Sequence, residues 1–327
     1  MLPVASPTVF SSTGRWTLSS PACVATVGNF DGVHVGHAAI VARLGAMARR
    51  LGVPAVALTF DPHPATILRP GNAPPPLTTP ARRAELLLAL GIDAVLVQPV
   101  DERLVAVEAE DFYAGILRRR LAVRGLVEGA DFHFGARRRG TIELLGELCR
   151  ADGVELETVG PVEHGGAPVS SSRLRMLVAD GRLAEANPLL TAPYRCRGRV
   201  VEGARRGRTL GFPTANLADV ATLVPGHGVY ACRVAIAGAV WPAAVHVGPN
   251  VSFGETAVSI EAHLIGFEGD LYGQWLDVDF LERLRETRRF ATVAELTTQL
   301  AGDVEAARQV AASARSDSTI PGSRHAT

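Results

Sequence analysis

Apolar residues along this chain follow two different periods, and the change between them comes near residue 190. Ala22 to Val27 is a short apolar run with β-branched residues, the pattern of a buried strand. Directly afterwards Ile40, Val41, Leu44, Met47 and Leu51 recur at three- and four-residue spacing, which predicts an amphipathic helix. The alternation continues with a strand from Ala55 to Phe60, a helix from Pro80 to Leu90, a strand from Ala94 to Gln98, a helix from Ala109 to Leu121 and a strand from Gly125 to Glu128. Strands and helices taking turns in this way predict an α/β unit around a mostly parallel sheet.

After the segment Pro188 to Pro193 the period becomes two. In Tyr194 to Val201, three arginines alternate with Cys196, Gly198 and Val200. The runs Val229 to Ile236, Trp241 to Val247, Val258 to Leu264 and Leu276 to Phe280 keep this strand pattern with short turns and no long helix between them, which predicts a small antiparallel β-barrel. A closing helix is expected from the capping box Thr292-Val293-Ala294-Glu295, with an apolar stripe of Val293, Leu296, Leu300, Val304 and Ala307. The expected organisation is a loosely held segment 1–20 rich in Ser, Thr and Pro, an α/β domain 21–190, a barrel domain with its helix 191–312, and a fraying tail 313–327.

Composition narrows the chemistry. At 327 residues there is room for two cores, and 33 acidic against 33 basic residues give no electrostatic case for nucleic acid or an anionic membrane as a partner. The sequence contains no lysine, so P-loop lysines, kinase strand lysines and Schiff bases are excluded. Any ATP chemistry must use Arg, His, backbone N–H groups and metal ions. Cys23, Cys149, Cys196 and Cys232 lack CxxC spacing and read as small core residues. With no signal-peptide pattern and no apolar run long enough for a bilayer, the expected location is the cytoplasm.

The first stretch with chemistry is Val27-Gly28-Asn29-Phe30-Asp31-Gly32-Val33-His34-Val35-Gly36-His37, between a strand and a helix start. Free N–H groups and the positive end of the helix dipole make such a turn an anion site. His34 and His37, three apart with Gly36 between them, have the spacing to donate hydrogen bonds to a triphosphate as neutral or protonated imidazoles. Plain surface polarity is the alternative, and a zinc pair ranks low because no Cys or carboxylate lies at ligand spacing. Further strand ends carry Thr59-Phe60-Asp61-Pro62-His63-Pro64 and the loop Gly129 to Gly140, whose Asp131, Phe132, Phe134 and three arginines read alone as a solvated basic turn, but whose bounding glycines and interleaved aromatics suit a planar ring and phosphates. Ser171, Ser172, Arg173 and Arg175 open a helix; the two arginines work against the dipole there, which makes sense if a triphosphate sits beside them.

In the second half, Gly203, Gly207 and Gly211 punctuate a stretch with Arg208, and Thr214 and Asn216 offer neutral oxygens two residues apart, suited to Mg²⁺ or another divalent cation completed by substrate phosphates. A glycine-rich hairpin with turn-forming Thr and Asn is the plainer reading. Glu261 is a carboxylate within a barrel strand, so it is either at the rim or in use.

The string Gly28 to His37 resembles the GNFDGVHxGH form of the HxGH signature in bacterial flavin adenylyltransferases. The loop Gly207 to Asn216, the turn Pro225 to Ala231 and the strand Glu261 to Leu264 resemble the riboflavin kinase domain, so residues 20 to 310 are similar to the bifunctional riboflavin kinase and FAD synthetase family of bacteria. That resemblance implies riboflavin, FMN, FAD and ATP as substrates and products. By it, His34 and His37 bind ATP phosphates with Gly28, Asn29, Phe30, Asp31 and Gly36 around them, and Ser171, Ser172, Arg173 and Arg175 hold the triphosphate. Gly207, Arg208 and Gly211 bind the second nucleotide, Thr214 and Asn216 the Mg²⁺, and Asp131, Phe132, Phe134 and Asn250 the flavins. Glu261 is the implied base. The sequence departs from the family where an N-P-T-F stretch is common: here it is Asn250-Val251-Ser252-Phe253, and an active kinase with a looser flavin loop is expected.

Overall fold

The computed structural model describes residues 8–11, 20–203, 206–250 and 256–316. It divides into two compact units, Met1–Ser171 and Ser172–Thr327. The expectation of a looser flavin loop at Val251 and Ser252, and most of the expected terminal segments, fall outside the described residues.

In the first unit, strands β1 (Thr8–Ser11), β2 (Cys23–Val27), β3 (Ala55–Asp61), β4 (Ala94–Pro99), β5 (Val123–Gly129) and β6 (Glu155–Val159) form one sheet in the order β1-β4-β3-β2-β5-β6. Every pairing is parallel. All five residues of β2 are buried, as expected for a strand covered on both faces. The strand β1 was not visible in the Ser/Thr/Pro-rich composition around it. Helix α1 (Val35–Leu51) turns Val41, Leu44 and Met47 inward and ends at Gly52, whose left-handed φ of 64° stops it. Between Ala109 and Arg120 the expected single helix changes character: Ala109–Phe112 is α-helical and Tyr113–Arg120 is a π-helix, in which Tyr113, Ile116 and Leu117 are buried in the core.

Because β3 and β4 lie to one side of β2 while β5 and β6 lie to the other, the chain reverses its direction of travel across the sheet between β2 and β5. In open parallel sheets ligands bind outside the carboxyl ends of strands at such a switch point. The two loops that emerge there are the Gly28 to His37 turn and the Gly129 to Gly140 loop.

In the second unit, strands β7 (Tyr194–Val201), β8 (Ala215–Ala218), β9 (Gly228–Ile236), β10 (Ala239–Pro249), β11 (Val258–Leu264) and β12 (Trp275–Arg285) close an antiparallel barrel in the order β8-β11-β10-β9-β12-β7. Tyr230, Cys232, Val245, Ala262, Val278 and Phe280 are fully buried alternate residues that fill it. All four cysteines are free and buried. The helix Val293–Ser316 packs over the outer face of β9, β10 and β12. Its stripe is Leu296, Leu300, Asp303, Val304, Ala307 and Ala311, while Val293 is 62% exposed and lies off it. Only half of the capping box forms: Glu295 N–H donates to Thr292 Oγ1 at 3.2 Å, but Glu295 Oε2 accepts from Ala291 N–H at 3.1 Å.

Residues 172–190 cluster with the barrel. Asn187 Nδ2 donates to the carbonyls of Phe280 (2.9 Å) and Leu281 (2.8 Å), its Oδ1 accepts from Tyr194 N–H (2.9 Å), and Gly226 N–H donates to Val178 O (3.0 Å). At about 1 kcal/mol net for each of these four bonds, a fragment beginning at residue 191 is expected to be about 4 kcal/mol less stable than one beginning at residue 172. Thermal melts of the two fragments check this, and coincident melts would count against it.

Candidate active sites

The first site is assembled by α1 and the turn before it. Phe30 and Val33 have φ of 46° and 41°, and Gly32 of 87°, so the backbone doubles back sharply. Asp31 holds it there. Its carboxylate, 2% exposed, accepts from Leu77 N–H at 3.0 Å, Thr78 N–H at 2.9 Å and Thr78 Oγ1 at 3.0 Å. Phe30 is 3% exposed and packs edge-on to the His37 ring at 5.2 Å. Phe30 and Asp31, expected among the nucleotide contacts, are therefore spent on building the turn, whereas Gly28, Asn29 and Gly36 stay half-exposed along it.

His34 caps α1 in an uncommon way. His37 N–H donates to His34 Nδ1 at 3.3 Å and His34 N–H donates to His37 Nδ1 at 3.2 Å, a capping box made of two imidazoles. The rings stack with centroids 3.6 Å apart and planes 16° from parallel. Gly36 makes this possible, since a Cβ there would sit 3.0 Å from His34 Nδ1. A ring nitrogen that accepts carries no hydrogen, so each neutral ring holds its proton on Nε2. Burial pushes the His34 pKa down to about 4, partly opposed by Asp31. Burial, then His34, then Arg83 push His37 well below its ordinary value. Of the two charge states the sequence left open, the structure selects the neutral pair with two Nε2–H donors.

This has a consequence for stability. The unfolded His34 imidazole takes up a proton near 6.5 whereas the folded ring resists down to about 4. The unfolded state therefore binds more protons in this window, so the contribution is full above pH 6.5 and is lost as pH falls to 4, by on the order of 3 kcal/mol. Urea unfolding of the first unit at pH 6.5 and 4.5 is expected to fall more steeply in the parent than in His34→Asn, which keeps a capping acceptor that does not titrate. Equal slopes would count against the linkage.

Around this turn the structure adds residues the sequence did not single out. Arg83, 4% exposed, donates through Nη1 to Thr59 Oγ1 and Phe60 O, both at 3.0 Å, and lies 3.9 Å from Asp31 Oδ1. It is a buried cation beside the histidines, brought there from 46 residues beyond His37. Ser171 Oγ donates to Asp31 O at 2.7 Å, so this expected phosphate ligand also holds the turn. Ser172, Arg173 and Arg175 follow in the helix Ser171–Ala179. In the second loop Asp131 is exposed and Phe132 half-buried. Phe134 is 6% exposed in the hydrophobic core and stacks on Phe132 at 5.5 Å, so it acts beneath Phe132 as its support.

The second site lies on the outer face of the barrel under the closing helix. In β11, Ile260, Ala262 and Leu264 point inward and are buried, while Ser259, Glu261 and His263 are half-buried on the opposite side. Glu261 is thus neither in the barrel interior nor free in solvent. Strand register sets Asn216, Glu261, His246, Val229 and Arg285 side by side across five strands. All five line a cavity of about 150 Å³, together with Thr214, Asn250, Phe290 and Leu300. Glu261 Oε1 accepts from Asn250 Nδ2 at 2.6 Å and Ser259 Oγ at 3.1 Å. Among the described residues no donor reaches Glu261 Oε2. Asn250, expected to touch flavin, thus orients the carboxylate as well as lining the cavity. The buried Asp303 anchors the helix to the rung through Arg285 Nη2 at 2.7 Å.

The glycine-rich stretch is a short helix, Arg206–Thr209, where a hairpin was the plainer expectation. Gly203 lies against the Asn216 carboxamide, leaving no space for a Cβ. Gly207 lines the first cavity, and Gly211 takes φ of 83° just after the helix. A second cavity of about 480 Å³ is lined by Arg208, Thr214, Phe267, Leu271 and Tyr272. Thr214 belongs to both walls.

A histidine-stacked HxGH turn at the switch point of a parallel sheet, followed by a closed barrel with a carboxylate lining one of two cavities that share the Thr214 wall, defines a two-unit transferase class. The chain matches the family model for FAD synthetase over residues 17–173 and that for riboflavin kinase over residues 190–311. It is 41% identical to the bifunctional riboflavin kinase/FMN adenylyltransferase of Pseudomonas fluorescens, over 89% of this chain and 93% of that one. It is 36% identical to the protein of the same name from Escherichia coli K12, over 88% and 92%. A solved structure described as a macrolide-efflux protein from Streptococcus pneumoniae is also similar, with a TM-score of 0.82, 32% identity and coverage of 92% of this chain and 98% of that one. Among the described residues no helix is long and apolar enough to cross a membrane. The chain belongs to the bifunctional riboflavin kinase/FMN adenylyltransferase family.

Proposed function

We propose that the barrel unit phosphorylates riboflavin with ATP and that the α/β unit adenylylates the resulting FMN to FAD with release of pyrophosphate. The observation that carries the reading is that each unit owns a separate polar site of the matching chemistry: a pair of neutral imidazole donors at a switch point in one, and in the other a clamped carboxylate lining a cavity that shares the Thr214 wall with a second.

In the barrel, the terminal hydroxyl of riboflavin attacks the γ-phosphate. The new O–P bond forms as the bond to ADP breaks, and Glu261 takes the hydroxyl proton on Oε2. Asn250 and Ser259 hold the carboxylate in position through Oε1. The first cavity takes the flavin and the second the nucleotide, with Thr214 between them. Thr214 and Asn216 would hold a divalent cation. The donor set suits Mg²⁺: two neutral oxygens leave most positions to phosphates, and among the described residues no group of three or more His, Cys, Asp or Glu could hold a metal instead. When bound, such a cation would neutralise phosphate charge.

In the α/β unit, an FMN phosphate oxygen attacks the α-phosphate of a second ATP, and the bond to pyrophosphate breaks. A phosphate nucleophile arrives without a proton to lose, so this site needs donors and no base. His34 and His37 supply Nε2–H groups to the leaving pyrophosphate, and Gly28, Asn29 and Gly36 give the backbone edge. Phe132, supported by Phe134, faces the flavin. Four free buried cysteines accord with a reducing, cytoplasmic setting.

Incubation with riboflavin and Mg-ATP, followed by chromatographic separation of the three flavins, is the test. FMN should rise first and FAD after it; riboflavin recovered unchanged would overturn the proposal.

A further inference from the structure

One buried ionisable side chain of the first unit is unused by this mechanism. Glu128, second to last in β5, is 2% exposed. Its position is set by a fork in the sheet. On its outer side β2 pairs with β3 as far as Val27↔Leu58, and β5 pairs with β6 as far as Gly129↔Val159. The ladder between β2 and β5 stops earlier, at Ala25↔Leu126. The two central strands therefore part before either leaves the sheet, and they part at the switch point.

Glu128 fills the fork. Its Oε1 accepts the Val27 N–H at 2.8 Å, taking the place that a β5 carbonyl would hold in a continued ladder. Val27 is the last residue of β2, so this bond fixes the N–H from which the Gly28 to His37 turn departs. A carboxyl is a costly filler for a dry site, and an aliphatic side chain would occupy the space more cheaply but leave Val27 N–H buried and unpaired. Burial raises the Glu128 pKa well above the usual carboxylate range, opposed first by the Val27 N–H, so the fork favours the neutral acid. Glutamine reproduces its shape and its accepting oxygen.

We propose that Glu128 is a positioning residue for adenylyl transfer, holding the ends of β2 and β5 apart and setting the direction in which the histidine turn leaves the sheet. The inference rests on the function proposed above for the α/β unit. A misplacement of about 1 Å at reacting groups costs on the order of a hundredfold in rate, and the proposal asks for an effect of this size.

The test uses the full chain with Glu128→Gln and Glu128→Leu. For each, kcat and the KM for ATP are measured in FMN adenylylation, with riboflavin phosphorylation and a circular dichroism melt as controls. Glu128→Gln should stay within about threefold of the parent. Glu128→Leu should lose about a hundredfold in kcat with KM for ATP within about threefold, while phosphorylation and cooperative melting persist. If Glu128→Leu does not fold, Glu128→Met, linear and of similar length, is read by the same criteria. An apolar variant with the parent kcat overturns the proposal, as does a Glu128→Gln variant as slow as the leucine one, which would assign the effect to charge. A parent that makes no FAD overturns the function of the unit itself and is thereby distinguished from both.

Discussion

His37→Ala is expected to slow conversion of FMN to FAD by a hundredfold or more, while riboflavin phosphorylation continues at the parent rate. The size follows from what the ring does. A preorganised donor aimed at charge that develops during reaction is worth about 2.7–4 kcal/mol, or roughly 10² to 10³ in rate. Alanine removes the Nε2–H donor and also the Nδ1 acceptor of the His34 N–H, the stacked face of His34 and the edge contact with Phe30. The loss therefore has a chemical and a positional component. His37→Asn separates them, since a carboxamide oxygen at the third helical position can accept the capping N–H without offering an imidazole donor. Single-turnover rates with FMN and ATP supplied directly give the measurement. An alanine variant that makes FAD at the parent rate would remove His37 from the mechanism.

The HxGH turn was legible because its function is local. A strand, a turn and a helix start are consecutive in sequence, and His34, Gly36 and His37 meet through one helical turn. The same holds for five of the six barrel strands, which period-two runs between short turns foreshadowed, two of them, Tyr194–Val201 and Val258–Leu264, to the residue, while Ala215–Ala218 was hidden in the glycine-rich stretch before it. What stayed hidden depends on contacts between distant segments. Nothing in the run Leu77 to Arg83 says that Thr78 and Arg83 close around Asp31, because that meeting requires the β3 crossover to be folded. Phe30 and Asp31 belong to a signature string, and the string alone does not separate the residues that build a turn from those that line it. Glu128 did leave a trace, as a carboxylate ending an apolar strand run, but the fork it fills exists only in the register of two ladders. Asp303 is similar: it interrupts the helix stripe with a charge whose partner, Arg285, lies at the end of β12.

The largest effect in the barrel is expected from Glu261→Gln, which should lower kcat for riboflavin phosphorylation by about 10² to 10⁴, the usual worth of a positioned base. The substitution is well suited to the geometry. Asn250 Nδ2 and Ser259 Oγ both donate to Oε1, and the amide oxygen of glutamine accepts the same two bonds. The side chain then presents an NH₂ where Oε2 stood, so proton acceptance is lost while the clamp, the cavity wall and the strand register with Asn216 and His246 are kept. KM for riboflavin should change little, because the interaction removed is made in the transition state and not in the bound ground state. Ser259 enters the mechanism through this clamp, and Asn250 through the clamp and the cavity wall. Asn250→Ala is accordingly expected to act on kcat in the same direction but less strongly, with Ser259 still holding Oε1. FAD formation from supplied FMN serves as the internal control, since each unit has its own core and its own site. A glutamine variant that phosphorylates riboflavin at the parent rate would show that Glu261 is not the base, and the hydroxyl proton would then have to leave by way of the phosphate itself.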